Sequence, residues 1–220
     1  EQPDAFAQQR LVVDLVSRRL PKSYGYDPLR DIQVITPAKQ GPLGTRELNR
    51  LLQGKLNPPE RGKGEATLMG RTLREGDKVM QIRNNYDIIW QQPDGTAGTG
   101  IFNGDMGIIE MLDPGSKTIQ VRFEEKLATY SFENQDQLEH AYAVTVHKSQ
   151  GSEFEAVVMP LERRHPKLHY RNLLYTAVTR ARKLLIMTGQ KETVYAMVQN
   201  NRRTLRYTNQ KEMLQEMCDE

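Results

Sequence analysis

The chain has one cysteine among 220 residues, Cys218. No internal disulfide can form, and a reducing, cytoplasmic setting is expected. No Cys/His cluster has the spacing of a zinc site. No apolar run approaches the roughly 18 residues of a membrane span, so no membrane partner is expected. The polar start EQPDAFAQQR lacks a signal peptide's apolar region, and it lacks an initiator Met, which suggests a piece of a longer protein. Charge of one sign is lacking too. Against 31 Lys and Arg stand 28 Asp and Glu, a net charge of +3. Any polyanion site must therefore be local. Also absent is a G-x-x-x-x-G-K-[ST] loop: Gly54-Lys55 is followed by Leu56, and Gly62-Lys63 by Gly64. No apolar strand ends in paired acids suited to magnesium. These residues cannot form a self-sufficient P-loop ATPase.

What is present suffices for one large domain, or one with a smaller insert. Phe6, Leu11, Val12, Leu15 and Val16 fall at helical spacing, predicting a helix over 4–20 with Asp4 as N-cap and Leu20-Pro21 at its end. DIQVITP reads as a short buried strand. Thr45 is a candidate cap for a helix carrying Leu48, Leu51, Leu52 and Leu56. From about 66 to 137 helical spacing gives way to short apolar runs between Pro93-Asp94-Gly95, Asn103-Gly104 and Asp113-Pro114-Gly115 turns, the pattern of a small antiparallel barrel. The α/β texture then returns with AYAVT, AVVMPL, a helix RNLLYTAVTRARK and the apolar strand LLIMT. A helix near 191–201 and a charged terminal segment follow. The expected division is 1–65 and 138–220 as two parts of one parallel α/β domain, with 66–137 as an inserted β domain.

Between AYAVT and AVVMPL stands VTVHKSQGSEF, dense in hydrogen-bonding groups. It leaves the C-terminal end of a parallel strand, where open α/β sheets place ligand sites. Thr145 is positioned to cap a one-turn helix through His147-Lys148-Ser149-Gln150, with Gly151 closing it. Such a helix start, with hydroxyl and amine donors around it, suits a phosphate. Glu153, beyond the glycine, is wrong for phosphate and right for a ribose hydroxyl. The plainer alternative is a solvated, capped turn. A second constellation lies on the helix expected over 171–183, where Thr176, Arg180 and Lys183 flank a stripe of Leu173, Leu174, Ala177, Val178 and Ala181. A guanidinium at that margin can reach a neighbouring domain or a phosphate; for any single Arg, an ordinary wet face is the plainer reading. A third is the Gly41–Gly44 loop, beside Lys39 and Gln40, weak when taken alone.

Taken in order, these blocks resemble the C-terminal half of a superfamily 1 DNA helicase of the RecD-like, 5′-to-3′ branch, the exodeoxyribonuclease V alpha-subunit type. QVITPAKQGPLGTRELNRLLQGKLNP is similar to motif IV and its helix. GDKVMQIRNNYD and IFNGDMG resemble segments entering the family's inserted barrel. AYAVTVHKSQGSEF is similar to motif V and LLYTAVTRARK to motif VI.

The resemblance implies an α/β fold: a RecA-like (P-loop NTPase-type) parallel-sheet domain carrying a small antiparallel β-barrel of the Src-homology-3 type. It implies an ATP-dependent DNA helicase that translocates 5′ to 3′ on single-stranded DNA and unwinds duplex in recombination and repair. ATP and Mg2+ would bind against a first RecA-like domain of the same polypeptide, which holds the metal. These residues alone would be inactive and bind no cofactor stably. Arg180 would be the arginine finger; Gly151 and Glu153 would line the nucleotide, Glu153 on the ribose. Lys39 or Gln40 stands where motif IV supplies an Arg to the phosphates. Thr145, His147, Lys148, Ser149 and Gln150 would face single-stranded DNA. Lys78, Arg83 and Arg122 of the insert are candidates for DNA backbone contacts, a solvated strand face being the plainer reading. Partners implied are single-stranded DNA and other subunits of an exodeoxyribonuclease V-type complex. Two alternatives stand beside this: the helicase part of a conjugative relaxase-helicase, and a non-catalytic nucleic-acid-binding module with a degenerate helicase half.

Overall fold

The computed structural model describes residues 4–162 and 168–201. Cys218 and the charged segment after Asn201 lie outside them. Asp4 caps α1 (Ala5–Asp14), accepting from the N–H groups of Phe6 at 3.3 Å and Ala7 at 3.2 Å. The helix does not stop at Pro21. It continues through a π-helical turn, Leu15–Arg19, into α2 (Leu20–Tyr24). Pro21 has no N–H to give and its ring crowds the preceding turn. Widening that turn, with the Leu20 N–H donating to the Leu15 carbonyl, accommodates the ring. Gly25, at φ 70°, ends the helix.

Four parallel strands follow the order β11 (Ala143–Thr145), β1 (Ile32–Thr36), β12 (Phe154–Pro160) and β13 (Ala181–Thr188). Their side chains alternate between two cores. Ile32, Val34, Ala156 and Val158 pack with Val12 of α1 and with Leu48 and Leu52 of α3 (Thr45–Leu56). Ile35, Val157 and Met159 pack with Leu173 and Ala177 of α4 (Arg171–Val178) and Met197 of α5 (Lys191–Gln199). Burial on both faces is why β1, β11 and β12 are mostly apolar; β13, at the edge of the sheet, is partly exposed, with Arg182, Lys183 and Met187 in solvent.

The insert begins with a hairpin, β2 (Glu65–Leu68) and β3 (Arg71–Arg74). Seven further strands are β4 (Lys78–Gln81), β5 (Asn85–Gln91), β6 (Ala97–Ile101), β7 (Met106–Asp113), β8 (Thr118–Phe123), β9 (Lys126–Ser131) and β10 (Leu138–His140). They form one antiparallel sheet in the order β10-β4-β7-β8-β9-β5-β6. Leu138 of β10 and Ile101 of β6, from the two outer strands, share a core with Ile109, Val121 and Tyr130. Outer strands can meet in one core only if the sheet curls, and this gives the insert its barrel form.

Two expectations need correction. The helix expected through Lys183 ends at Val178. Thr179 turns its hydroxyl back onto the Tyr175 and Thr176 carbonyls, both at 3.0 Å, and Ala181, Arg182 and Lys183 belong to β13. The ridge of Thr176, Arg180 and Lys183 therefore does not exist as one helical face. Thr45 does not cap α3 either. Gly44 is the cap residue, and the Thr45 and Arg46 N–H groups donate to the Ala38 and Lys39 carbonyls at 3.0 and 3.2 Å.

The insert and the parallel sheet meet around Asp77, whose carboxylate is wholly buried. Its Oδ2 accepts from Gln53 Nε2 at 2.7 Å, the Arg74 N–H at 2.9 Å and His140 Nε2 at 3.1 Å. Its Oδ1 accepts from Asn57 Nδ2 at 2.7 Å and the Tyr142 hydroxyl at 2.9 Å. A carboxylate only accepts, so His140 Nε2 carries the proton. Burial, then the Asp77 charge, push the Tyr142 hydroxyl well above its ordinary pKa, which keeps it a donor.

Of the insert's candidate DNA contacts, Arg83 pairs with Asp136 at 3.0 Å, and Arg122 pairs with Glu110 and donates to the Glu125 carbonyl at 3.3 Å. Lys78 is buried, its Nζ reaching the Ile32 carbonyl at 3.3 Å and lying 5.9 Å from the centre of the Phe154 ring. It cannot reach a DNA backbone. Burial pulls its pKa down to about 8 against the upward pull of Asp27 and Asp31. A lysine with a depressed folded pKa binds fewer protons than the unfolded chain between about pH 8 and its ordinary value, so stability rises with pH across that window. Below it the cost is full, about 3 kcal/mol. Lys78→Met should therefore raise stability at pH 7, and the gain should shrink as pH rises toward 10. Urea unfolding of both proteins at each pH measures this.

Candidate nucleotide and nucleic-acid interface

The polar candidates fall into two groups, one at each end of the parallel sheet. At the C-terminal end, Thr36 of β1 and Thr145 of β11 lie side by side. Thr145 is the expected cap: its Oγ1 accepts from the Lys148 N–H at 3.3 Å. The turn it starts, His147–Ser149, is a 3₁₀ turn, and Gly151 follows at φ 86°. Ser149 is buried, its hydroxyl donating to the Val146 carbonyl at 2.8 Å. Lys148 Nζ meets Glu139 of β10 at 2.6 Å. His147 and Gln150 are exposed. Only these two and the Lys148 amine have side chains disposed to meet a ligand directly; Thr145 and Ser149 hold the turn in shape.

Lys39 joins this group. It lines a cleft of about 20 Å³ with Thr45, Glu139, His140, Thr145 and Lys148. Burial pushes the Glu139 carboxyl up, but Lys148, Lys39 and Arg71 outweigh that and hold it below the usual carboxylate range. Gln40 lines an adjoining cleft with Thr36 and Gly44. The loop is tight: a Cβ on Gly44 would stand 2.5 Å from the Gln40 carbonyl oxygen. Because the first N–H groups of α3 go to this loop's own carbonyls, they are not aimed at a phosphate.

At the opposite end stand Gly151, Ser152, Glu153 and Arg180. The chain doubles back between Thr145 and Phe154, so VTVHKSQGSEF runs from one end of the sheet to the other. At about 3.3 Å per residue, the seven residues of β12 put roughly 20 Å between the groups. The structure thus brings Gly151, Glu153 and Arg180 together and leaves Lys39 and Gln40 apart from them. Motif order could not reveal this, since it says nothing of which sheet end a loop occupies.

Arg180 sits in the turn from α4 to β13. Its Nε donates to the Thr176 carbonyl at 3.1 Å, Nη1 to the Ser152 carbonyl at 3.0 Å and Nη2 to Thr179 Oγ1 at 3.1 Å. A guanidinium has five N–H groups, so one on each terminal nitrogen has no partner among the described residues. Its backbone is tied as well, the Phe154 N–H donating to the Arg180 carbonyl at 2.8 Å. Three bonds fix the fork and two donors stay available, as recognition of a phosphate requires. Glu153 accepts from Arg182 Nε at 3.1 Å through Oε2. Motif matching passed over Arg182, because its partner is brought near only by the β12–β13 register. Among the described residues no group of three His, Cys, Asp or Glu could hold a metal ion, and no helix is long and apolar enough to cross a membrane.

Residues 48–123 match the family model of the ATP-dependent RecD-like DNA helicase SH3 domain, and residues 140–188 match the UvrD-like helicase C-terminal domain. The chain is 35% identical over 158 residues to the ATP-dependent RecD2 DNA helicase of Deinococcus radiodurans, covering 72% of this chain and 20% of that protein. It is 26% identical over 172 residues to the RecBCD enzyme subunit RecD of Buchnera aphidicola, covering 77% of this chain and 26% of that one. It thus spans about a fifth to a quarter of these relatives' own length. A Bacteroides Pif1 helicase, solved in complex with ADP-AlF3 and single-stranded DNA, overlays 97% of the chain and half of its own at 16% identity and a TM-score of 0.49. With one domain model on the antiparallel insert, another on the parallel sheet and RecD proteins aligned across both, the chain belongs to the RecD-like superfamily 1 DNA helicases, as part of their C-terminal region.

Proposed function

We propose that this chain is the second RecA-like half of an ATP-dependent DNA helicase, moving 5′ to 3′ on single-stranded DNA in recombination or repair. We divide it at 65/66 and 137/138 into first part, barrel and second part. The observation that carries the reading is the two-ended course of VTVHKSQGSEF. One continuous loop holds DNA-side groups at Thr145–Gln150 and nucleotide-side groups at Gly151–Glu153, and Arg180 grips its Ser152 carbonyl. A shift of Arg180 toward a phosphate pulls on the same loop that shapes the DNA side. The donor set fits a nucleotide: two unspent N–H groups on Arg180 for phosphate oxygens, and the free oxygen of Glu153 for a sugar hydroxyl. It does not fit a magnesium ion, which a first RecA-like domain of the same polypeptide would hold together with the phosphate loop.

On this reading Arg180 stabilises the charge that develops on the transferring γ-phosphoryl group. His147, Gln150 and Lys148 meet the DNA backbone, Lys148 by exchanging Glu139 for a phosphate. Lys39, sharing the cleft with Thr145 and Lys148, belongs with this DNA-side group, and Gln40 lies next to it. Subunits of an exodeoxyribonuclease V-type complex are the proposed partners of the whole protein. The full-length protein should unwind duplexes carrying a 5′ single-stranded tail and leave 3′-tailed or blunt duplexes intact. Equal unwinding of both tailed substrates would overturn the direction, and ATP-independent strand separation the reading itself.

A further inference from the structure

Residues 152–155 are fastened to residues 180–183 rung by rung. Arg180 holds the Ser152 carbonyl, the Phe154 N–H holds the Arg180 carbonyl, and Arg182 Nε holds Glu153 at 3.1 Å. Arg182 has a choice of carboxylates, since Glu155 lies 3.9 Å from its Nη1. Lys183 approaches Glu155 at 2.7 Å, near enough for an ion pair though not aligned as a hydrogen bond. That ammonium neutralises Glu155 and leaves Arg182 to Glu153. Only Oε2 of Glu153 is engaged; among the described residues its Oε1 has no partner.

A free glutamate samples many rotamers and loses that freedom when it binds a hydroxyl. One held by a single oxygen has already lost much of it, and its second oxygen remains an acceptor. The geometry points to Arg182 as a positioning residue that sets the enzyme's preference for a ribonucleotide over a deoxyribonucleotide. It fixes the Glu153 carboxylate in advance, so that Oε1 accepts a hydrogen bond from a ribose hydroxyl. This rests on Glu153 meeting the sugar, as proposed above. Both side chains are more than half exposed, so solvent screens the pair and the effect is modest, about two- to fivefold.

The test uses the full-length protein with saturating single-stranded DNA, and compares kcat and KM for ATP, 2′-deoxy-ATP and 3′-deoxy-ATP. The wild type should show a higher KM for the analogue lacking the hydroxyl that Glu153 meets. Arg182→Ala should raise KM for ATP about two- to fivefold, leave KM for that analogue where it was, and leave kcat in place. Arg182→Lys should recover part of the discrimination. An equal rise in KM for all three nucleotides, or no rise at all, overturns the inference. Glu153→Gln separates the two claims. If it abolishes discrimination while Arg182→Ala does not, the positioning role fails and the sugar contact stands. If the wild type does not discriminate and Glu153→Gln changes nothing, the sugar contact itself fails, and the inference with it.

Discussion

Replacing Arg180 by alanine in the full-length protein should lower DNA-stimulated ATP hydrolysis by about 10³- to 10⁵-fold, the range for loss of an arginine finger. ATP binding should survive within a few-fold. The asymmetry follows from where the guanidinium's bonds lie. Its three intramolecular bonds are made before any nucleotide arrives, so its remaining donors are worth most when charge develops in the transition state. Arg180→Lys should recover little, because an ammonium cannot hold the Ser152 carbonyl and a phosphate oxygen in one rigid fork. Equilibrium binding of a fluorescent ATP analogue alongside steady-state turnover measures both halves. Near-normal turnover would exclude Arg180 from the chemistry. Loss of binding in step with turnover would make it a ground-state contact.

The second large effect concerns the joint between insert and sheet. Asp77→Ala should cost about 3–5 kcal/mol, the sum expected when several buried donors are left unpaired at about 1–3 kcal/mol each. Five donors from α3, β3, β10 and the residues that follow α3 and β10 lose their acceptor together. An unpaired buried donor carries its full desolvation penalty. Asp77→Asn keeps the shape but presents an amide NH2 where Gln53, the Arg74 N–H and His140 also donate, so it should destabilise too, by less. Because the insert and the parallel sheet have separate cores, hydrogen exchange is the better measure. Protection should fall at the C-terminal end of α3 and over 138–146, and persist in the centre of the barrel. Unchanged protection over 138–146 would mean that Asp77 does not hold the joint.

How much of this was legible in the sequence depended on what each residue answers to. β1 and β12 were readable because they are buried on both faces and carry mostly apolar residues, broken only by Gln33 and Thr36 in β1 and Glu155 in β12. Asp4 was readable because a cap is a contact two and three residues away. The end of α4 was misread because Ala181, Arg182 and Lys183 are good helix formers. What overrides their propensity is pairing with β12, a neighbour more than twenty residues distant in sequence. Thr45 looked like a cap, but the loop before it folds back and satisfies the helix start with its own carbonyls. Gly76-Asp77-Lys78 gave no sign that its acid and its base are both buried, since the five donors to Asp77 and the Phe154 ring beneath Lys78 arrive from elsewhere in the chain. In the candidate site the residue types were legible and their grouping was not. Lys39 was expected with Gly151, Glu153 and Arg180, and stands with Thr145 and Lys148 at the other end of the sheet.

The insert's seven-stranded sheet begins with β4 and ends with β10, and these strands are hydrogen-bonded neighbours, with Val79 opposite His140. Its two connections therefore emerge about 5 Å apart. A unit whose ends meet is a cassette: it can be exchanged between hosts, or clipped out and bridged by a short turn, without stretching the scaffold that carries it. Asp77 lies at the mouth of that cassette and bonds to the host's Gln53 and Asn57. A graft made without those amides would keep the barrel and lose its fixed bearing on the sheet.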